Sequence, residues 1–66
     1  MIKYLIEYKD VNGNVIEKHI EEFSNEEKAN EYARGTLRGE IIPVKLEKQI
    51  VVLNRSHVAK IVLTKF

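Results

Sequence analysis

The 66-residue sequence contains no cysteine and no apolar run near the length of about 20 residues that spans a membrane. The lack of cysteine excludes disulfides and cysteine-ligated zinc or iron–sulfur sites, and it suits a reducing cytoplasm. The first residues, Met1–Tyr4, enter a strand-like pattern without the basic and then apolar layout of a signal peptide. We therefore expect a complete cytoplasmic protein with no membrane segment.

Motifs that carry catalytic or cofactor chemistry are also missing. The sequence has no glycine-rich phosphate loop, no paired-carboxylate motif and no metal signature. Ser56 and His57 are adjacent, which is poor geometry for a nucleophile and its base. Glu17, His19 and Glu21 alternate along a strand, as on any solvated strand face, and a single histidine makes a weak metal site. We expect no enzyme activity, no cofactor and no bound metal.

What the chain does have is a concentration of apolar residues at its C-terminal end. Two β-branched runs, Ile50–Leu53 and Val58–Phe66, flank the polar corner Asn54–His57, and neither run alternates cleanly. A strand covered on both faces need not alternate between apolar and polar residues. The pattern predicts that this segment is the centre of the fold.

The N-terminal third has the pattern of a β-hairpin. Ile2–Lys9 and Val15–Glu22 both alternate, and Asn12–Asn14, with its central glycine, is a strong turn signal between them. A two-residue turn would place the apolar face of the first strand beside the charged face of the second. We therefore expect an odd loop, either Asn12–Asn14 or Val11–Gly13, and the first of these makes Ile6 oppose Ile20.

The middle of the chain has helix signals. Ser24 is the expected N-cap, with Glu27 completing a capping box. The helix is expected to run to about Leu37 and stop at Gly39, with Gly35 as the alternative end. Its apolar stripe is narrow and made largely of small residues: Ala29, Tyr32, Ala33, Thr36 and Leu37.

The third strand, Glu40–Leu46, contains the only proline, and Pro43 predicts a sheet edge or an unpaired side because it lacks a backbone donor. Together the elements predict a single α+β domain over residues 1–66. Its expected order is ββαβββ, with one mostly antiparallel sheet and one helix packed on one face.

One helix covers only one face of a sheet, so the opposite face should be an interface. A small monomer rarely leaves a large contiguous apolar patch in water, although the aliphatic stems of lysine side chains can cover part of it. We predict a non-enzymatic protein-interaction module that forms a homo-oligomer, most simply a dimer. It could also occlude a larger host protein, as a phage or mobile-element inhibitor or adaptor would. The predicted anchors are Ile41, Val58, Val62 and Phe66, with Arg55 and Lys60 at the rim.

The charge distribution supports an alternative function. Residues 1–33 carry four lysines against one aspartate and seven glutamates, a net charge of −4, whereas residues 34–66 carry a net charge of +5. The basic second half could bind RNA or single-stranded DNA, with Tyr4 and Tyr8 as stacking platforms. The pI of about 8.0 and the scatter of the basic residues disfavour this alternative.

Overall fold

The computed structural model describes residues 1–66 and confirms the α+β class and the ββαβββ order. The strands form two antiparallel sheets, one of three strands in the order β2-β1-β5 and one of two strands, β3-β4, where a single sheet was expected. The elements are β1 (Ile2–Lys9), β2 (Val15–Phe23), α1 (Glu26–Thr36), β3 (Ile41–Lys45), β4 (Ile50–Asn54), a 3₁₀ turn (Arg55–His57) and β5 (Lys60–Lys65).

The central strand of the fold is β1, which pairs with β2 on one side and with β5 on the other. Ile6 and Tyr8 on this strand are fully buried. The prediction that residues 50–66 form the centre is wrong, because β4 and β5 both lie at sheet edges. A β-branched run also suits a strand with one face on the core and one face uncovered, and β4 is such a strand.

The core lies on one face of the three-stranded sheet. Both α1 and the β3–β4 hairpin contribute side chains to the buried cluster on that face, so the two elements together cover it. On the opposite face of the three-stranded sheet Leu5 and Val62 are half-buried and Ile20 is exposed. The fully or nearly fully buried residues are Tyr4, Ile6, Tyr8, Ala29, Ile42, Val44 and Val58.

The segment between β1 and β2, Asp10–Asn14, has five residues, an odd number as expected but more than the three predicted. The Asp10 N–H donates to the Asn14 carbonyl at 2.9 Å, which leaves Val11–Gly13, the second predicted alternative, as the tip of the loop. The Asp10 carboxylate accepts hydrogen bonds from the backbone N–H groups of Asn12 and Asn14, both at 2.9 Å. Gly13 has a φ of 83°, the left-handed conformation that glycine adopts without a steric cost. The turn is therefore stabilised locally, by residues within the loop itself.

The register beyond this loop differs from the one we expected. A bulge beside Tyr8 and Lys9 adds one residue on β2, so Ile6 opposes His19 and not Ile20. The charged face of β2 therefore lies on the core side of the sheet. This arrangement is tolerated because β2 is an edge strand, where Glu17 and His19 are only half-buried. The imidazole of His19 also has a hydrogen-bond partner, the Tyr8 hydroxyl.

The helix begins one residue later than predicted. Asn25 is the N-cap, and its side-chain Oδ1 accepts a hydrogen bond of 2.9 Å from the Lys28 N–H. Asn and Ser are equally good N-caps, so two adjacent candidates are hard to separate from sequence. The predicted end near Leu37 is confirmed, since Leu37 is the C-cap, but Gly39 lacks the positive φ of a terminating glycine.

The prediction for Pro43 is confirmed. The Arg55 N–H donates to the Glu40 carbonyl at 2.9 Å, and paired residues of an antiparallel ladder alternate in their bonding direction. The nitrogen of Pro43 therefore points away from β4, on the free edge of β3. No ladder hydrogen bond is lost.

Candidate protein-interaction surface

The outer face of the β3–β4 hairpin is an exposed and largely apolar surface. Three cross-strand rows form it, and four of its six side chains are apolar. Ile41, Ile50 and Val52 have exposed fractions of 62%, 64% and 59%. The rows are Ile41 with Asn54, Pro43 with Val52, and Lys45 with Ile50.

This face exists because β4 carries apolar residues on both of its sides. Val51 and Leu53 turn inward and pack against the core cluster. Ile50 and Val52 alternate with them and turn outward, where no other part of the chain covers them. The unbroken apolar run of this strand therefore has two apolar faces, of which only the inner one is covered.

Only Ile41 among the predicted anchors lies on the outer face of β3–β4. Val62, Phe66 and Lys60 belong to the outer face of the three-stranded sheet, where Val62 pairs with Glu7 and the Phe66 N–H donates to the Lys3 carbonyl at 3.0 Å. The expected single patch is therefore divided between two sheets. Charged side chains alternate with the apolar ones on the outer face of the three-stranded sheet: Lys3, Glu7, Lys9, Lys18, Glu22 and Lys60.

Val58 is not an interface anchor, because its exposed fraction is 1% and it belongs to the core. The prediction counted Val58 as the first residue of the last strand, but β5 begins at Lys60. The 3₁₀ turn before it, capped by Asn54 Oδ1 accepting from the Ser56 N–H at 3.0 Å, breaks the alternation. The side chain of Val58 therefore points inward, although the alternation of a continuous strand would place it on the outer face.

Arg55 is a structural clamp and not a rim residue of an interface. Its Nε donates to the Leu37 carbonyl at 3.0 Å, and its Nη1 donates to the Val58 carbonyl at 2.6 Å. The guanidinium thus joins the end of α1 to the turn that precedes β5. Arg55 is half-buried, and its guanidinium is held by two backbone acceptors of the same chain.

A partly buried polar cluster joins three elements beside the core. The Tyr8 hydroxyl lies 2.8 Å from His19 Nε2 and 2.9 Å from the Tyr32 hydroxyl. Burial, followed by the hydrogen bond with Tyr32, raises the pKa of Tyr8 well above its usual value. Sequence reasoning missed this cluster because it depends on the bulged register that brings the face of His19 to the face of Tyr8.

The nucleic-acid alternative loses its stacking platforms in this structure. Tyr4 has an exposed fraction of 7% and Tyr8 of 0%, so neither ring face is open to a base. Lys65, one of the basic residues of the second half, is ion-paired with Glu26 of the helix. The proposed basic surface is therefore reduced in both its aromatic and its charged parts.

The other candidate sites are also placed by the structure. The Ser56 hydroxyl donates to Asn54 Oδ1 at 2.9 Å, so it is not paired with His57. No group of three or more His, Asp or Glu side chains is arranged to hold a metal ion. None of the helices is long and apolar enough to cross a membrane.

Comparison with protein-family models, with curated protein sequences and with solved structures finds no significant match to this chain. The geometry of these residues alone therefore supports the functional proposal.

Proposed function

We propose that the protein is a non-enzymatic protein-interaction module that self-associates through the outer face of β3–β4. The observation that carries the proposal is the three-row apolar face of Ile41, Pro43, Ile50 and Val52, which the chain itself leaves uncovered. Contiguous apolar surface on a small protein marks an interaction site more often than it marks an inert surface. A second copy is the occupant we propose.

The size of the protomer favours a second copy as the occupant. Its accessible surface is 4790 Å², compared with about 4,300 Å² expected for a compact monomer of this mass. Only seven side chains are buried, so the core is small even for 66 residues. Small domains commonly supplement such a core by oligomerisation, and a two-fold dimer is the simplest way to bury the same patch twice.

A face-to-face dimer suits the shape of this surface. Two β3–β4 hairpins packed across a two-fold axis would lie about 10 Å apart, as packed sheets do, and would bury Ile41, Ile50 and Val52 of both copies. The protein would act by covering a partner's surface through complementary shape and apolar contact. A larger protein that presents a similar apolar face would compete with the second copy for the outer face of β3–β4. We keep the cytoplasm as the proposed location, since a chain without cysteine needs no oxidising compartment.

Sedimentation of the wild-type chain and two lysine variants over a wide concentration range tests the proposal. The wild type is expected at twice the 7.7 kDa chain mass at high concentration. Ile50→Lys should remain a monomer, because the dimer would bury an unpaired charge. Ile20→Lys is the matched control, because Ile20 is 54% exposed on the outer face of the three-stranded sheet, and it should still dimerise.

Two results would overturn this proposal. One is a wild-type chain that stays at the monomer mass at the highest concentration reached. The other is dissociation by Ile20→Lys with no effect of Ile50→Lys, which would move the interface to the outer face of the three-stranded sheet.

A further inference from the structure

We infer that the protein has a second binding site, at which an extended peptide docks as an added strand along the free edge of β5, in the groove between β5 and α1. This site is separate from the outer face of β3–β4, so it does not depend on self-association. Its proposed ligand carries small apolar side chains at alternate positions and an acidic residue toward the C-terminal end of α1.

The first observation is a row of unpaired peptide groups. The Phe66 N–H bonds the Lys3 carbonyl, and bonding directions alternate along an antiparallel strand. The peptide groups of Ile61, Leu63 and Lys65 therefore point away from β1. They have no strand partner within the chain, because β5 pairs with β1 alone. A strand edge of this kind, with no proline and no bulge, is the template for β-strand addition.

The second observation is a groove beside that edge. It has a volume of about 420 Å³ and is formed by β5 on one side and α1 on the other. Among the helix residues that line it, Ala29 and Ala33 are small, and they leave room for the inward-facing side chains of an added strand. The lining residues are Tyr4, Glu26, Ala29, Asn30, Ala33, Ile61 and Leu63.

The third observation is the polarity of the groove along its length. Glu26 and Lys65 are ion-paired with each other at one end, so this end is close to neutral. Asn30, in the middle, lines the groove and forms no side-chain hydrogen bond within the protein, so its amide is free to bond the outer edge of a peptide backbone. Arg34 does not line the groove but lies one helical turn beyond Asn30, in the last turn of α1. It forms no ion pair, so it favours an acidic side chain on a ligand that extends past this end of the groove.

Titration of the ¹⁵N-labelled full chain with synthetic peptides tests the site. The probes are the acetylated and amidated hexapeptide Val-Thr-Val-Ala-Val-Asp, the same peptide ending in Lys, and the Asp peptide N-methylated at alternate residues. The Asp peptide should shift the amide signals of Ile61, Leu63 and Lys65 and the side-chain amide of Asn30. The Lys peptide should bind several-fold more weakly. N-methylation, which removes backbone donors, should abolish the shifts.

Three variants separate this site from the rest of the surface. Ala33→Leu fills the groove and should weaken the binding of the Asp peptide at least tenfold. A tenfold loss of affinity corresponds to about 1.4 kcal/mol. Arg34→Glu changes only an exposed side chain and should reverse the preference between the Asp and Lys peptides. Ile50→Lys, on the outer face of β3–β4, should leave peptide binding unchanged.

The proposal fails if neither charged peptide shifts the signals of β5 at millimolar concentration. It also fails if the shifts map to the edge of β4, or if Arg34→Glu leaves the peptide preference as it was. These outcomes are independent of the sedimentation result, so a monomeric protein that binds the Asp peptide would overturn self-association alone.

Discussion

The hydroxyl of Tyr8, on the central strand, lies within hydrogen-bond distance of both His19 Nε2 and the Tyr32 hydroxyl, at 2.8 and 2.9 Å. A single phenol thus connects β1, β2 and α1. The chain of bonds can run in either direction, because each hydroxyl both donates and accepts and the imidazole nitrogen can take either role. The cluster therefore ties the helix to the hairpin whatever the tautomer of His19.

Replacing Tyr8 by phenylalanine is expected to destabilise the protein by about 1–2 kcal/mol, because two half-buried polar groups lose their shared partner. Urea unfolding measures this loss. Tyr4→Phe is the matched control, since the Tyr4 ring is also buried but its hydroxyl forms no hydrogen bond within the chain. Equal losses in the two variants would show that the Tyr8 hydroxyl bonds contribute nothing.

The same hydroxyl predicts a loss of stability in alkali. Burial raises the pKa of Tyr8 in the folded protein, whereas an unfolded tyrosine titrates near a pH of about 10. The folded state holds this proton more tightly, so its contribution is complete below a pH of about 10 and falls as the pH rises beyond it. Unfolding midpoints of wild type and Tyr8→Phe should therefore converge as the pH rises through this range. A constant difference between them would contradict the raised pKa.

Two valines of the same C-terminal region should respond differently to truncation. Val58→Ala removes part of a fully buried side chain and is expected to cost about 2 kcal/mol of unfolding free energy. Val52→Ala changes an exposed side chain and should stay within about 0.5 kcal/mol at a protein concentration low enough to keep the chain monomeric. Urea titration of both variants makes the comparison. A larger loss of unfolding free energy for Val52→Ala than for Val58→Ala would contradict the burial of Val58.

Lysine is not expected to replace Arg55. Arg55→Lys keeps the charge but has one flexible ammonium nitrogen in place of the two rigidly spaced guanidinium nitrogens that bond the carbonyls of Leu37 and Val58, and we expect a loss of roughly 2 kcal/mol. Arg38→Lys is the control, because Arg38 is exposed and makes no side-chain hydrogen bond. Thermal unfolding of the two variants distinguishes a clamp from a surface charge, and equal melting temperatures would exclude the clamp.

Local chemistry explains which parts of the fold could be predicted from the sequence. The turn signal between β1 and β2, the helix end at Leu37 and the outward proline at position 43 all follow from neighbouring residues and their backbone preferences. The odd loop was expected instead from segregation of the two strand faces, and the bulge beside Tyr8 removes that segregation. The burial of Ile42 and Val44 also follows, because a short alternating strand has one obvious inner face. The helix start was missed by one residue since Ser24 and Asn25 compete for the same role.

Other features depended on contacts between elements far apart in the chain. The register that sets Ile6 opposite His19 brings the imidazole to the Tyr8 hydroxyl, which also bonds the Tyr32 hydroxyl of the helix. Val58 is buried after the 3₁₀ turn, where Arg55 bonds both its carbonyl and the Leu37 carbonyl at the end of the helix.

The sequence by itself determined the element order, the α+β class and the presence of more apolar surface than one helix covers. Only the tertiary structure decided that the strands form two sheets and that the uncovered apolar face is the outer side of β3–β4. The physical reason is that side-chain alternation specifies two faces for each strand but not which other element packs against them. That choice is made when the elements pack, by the total apolar area that each arrangement buries.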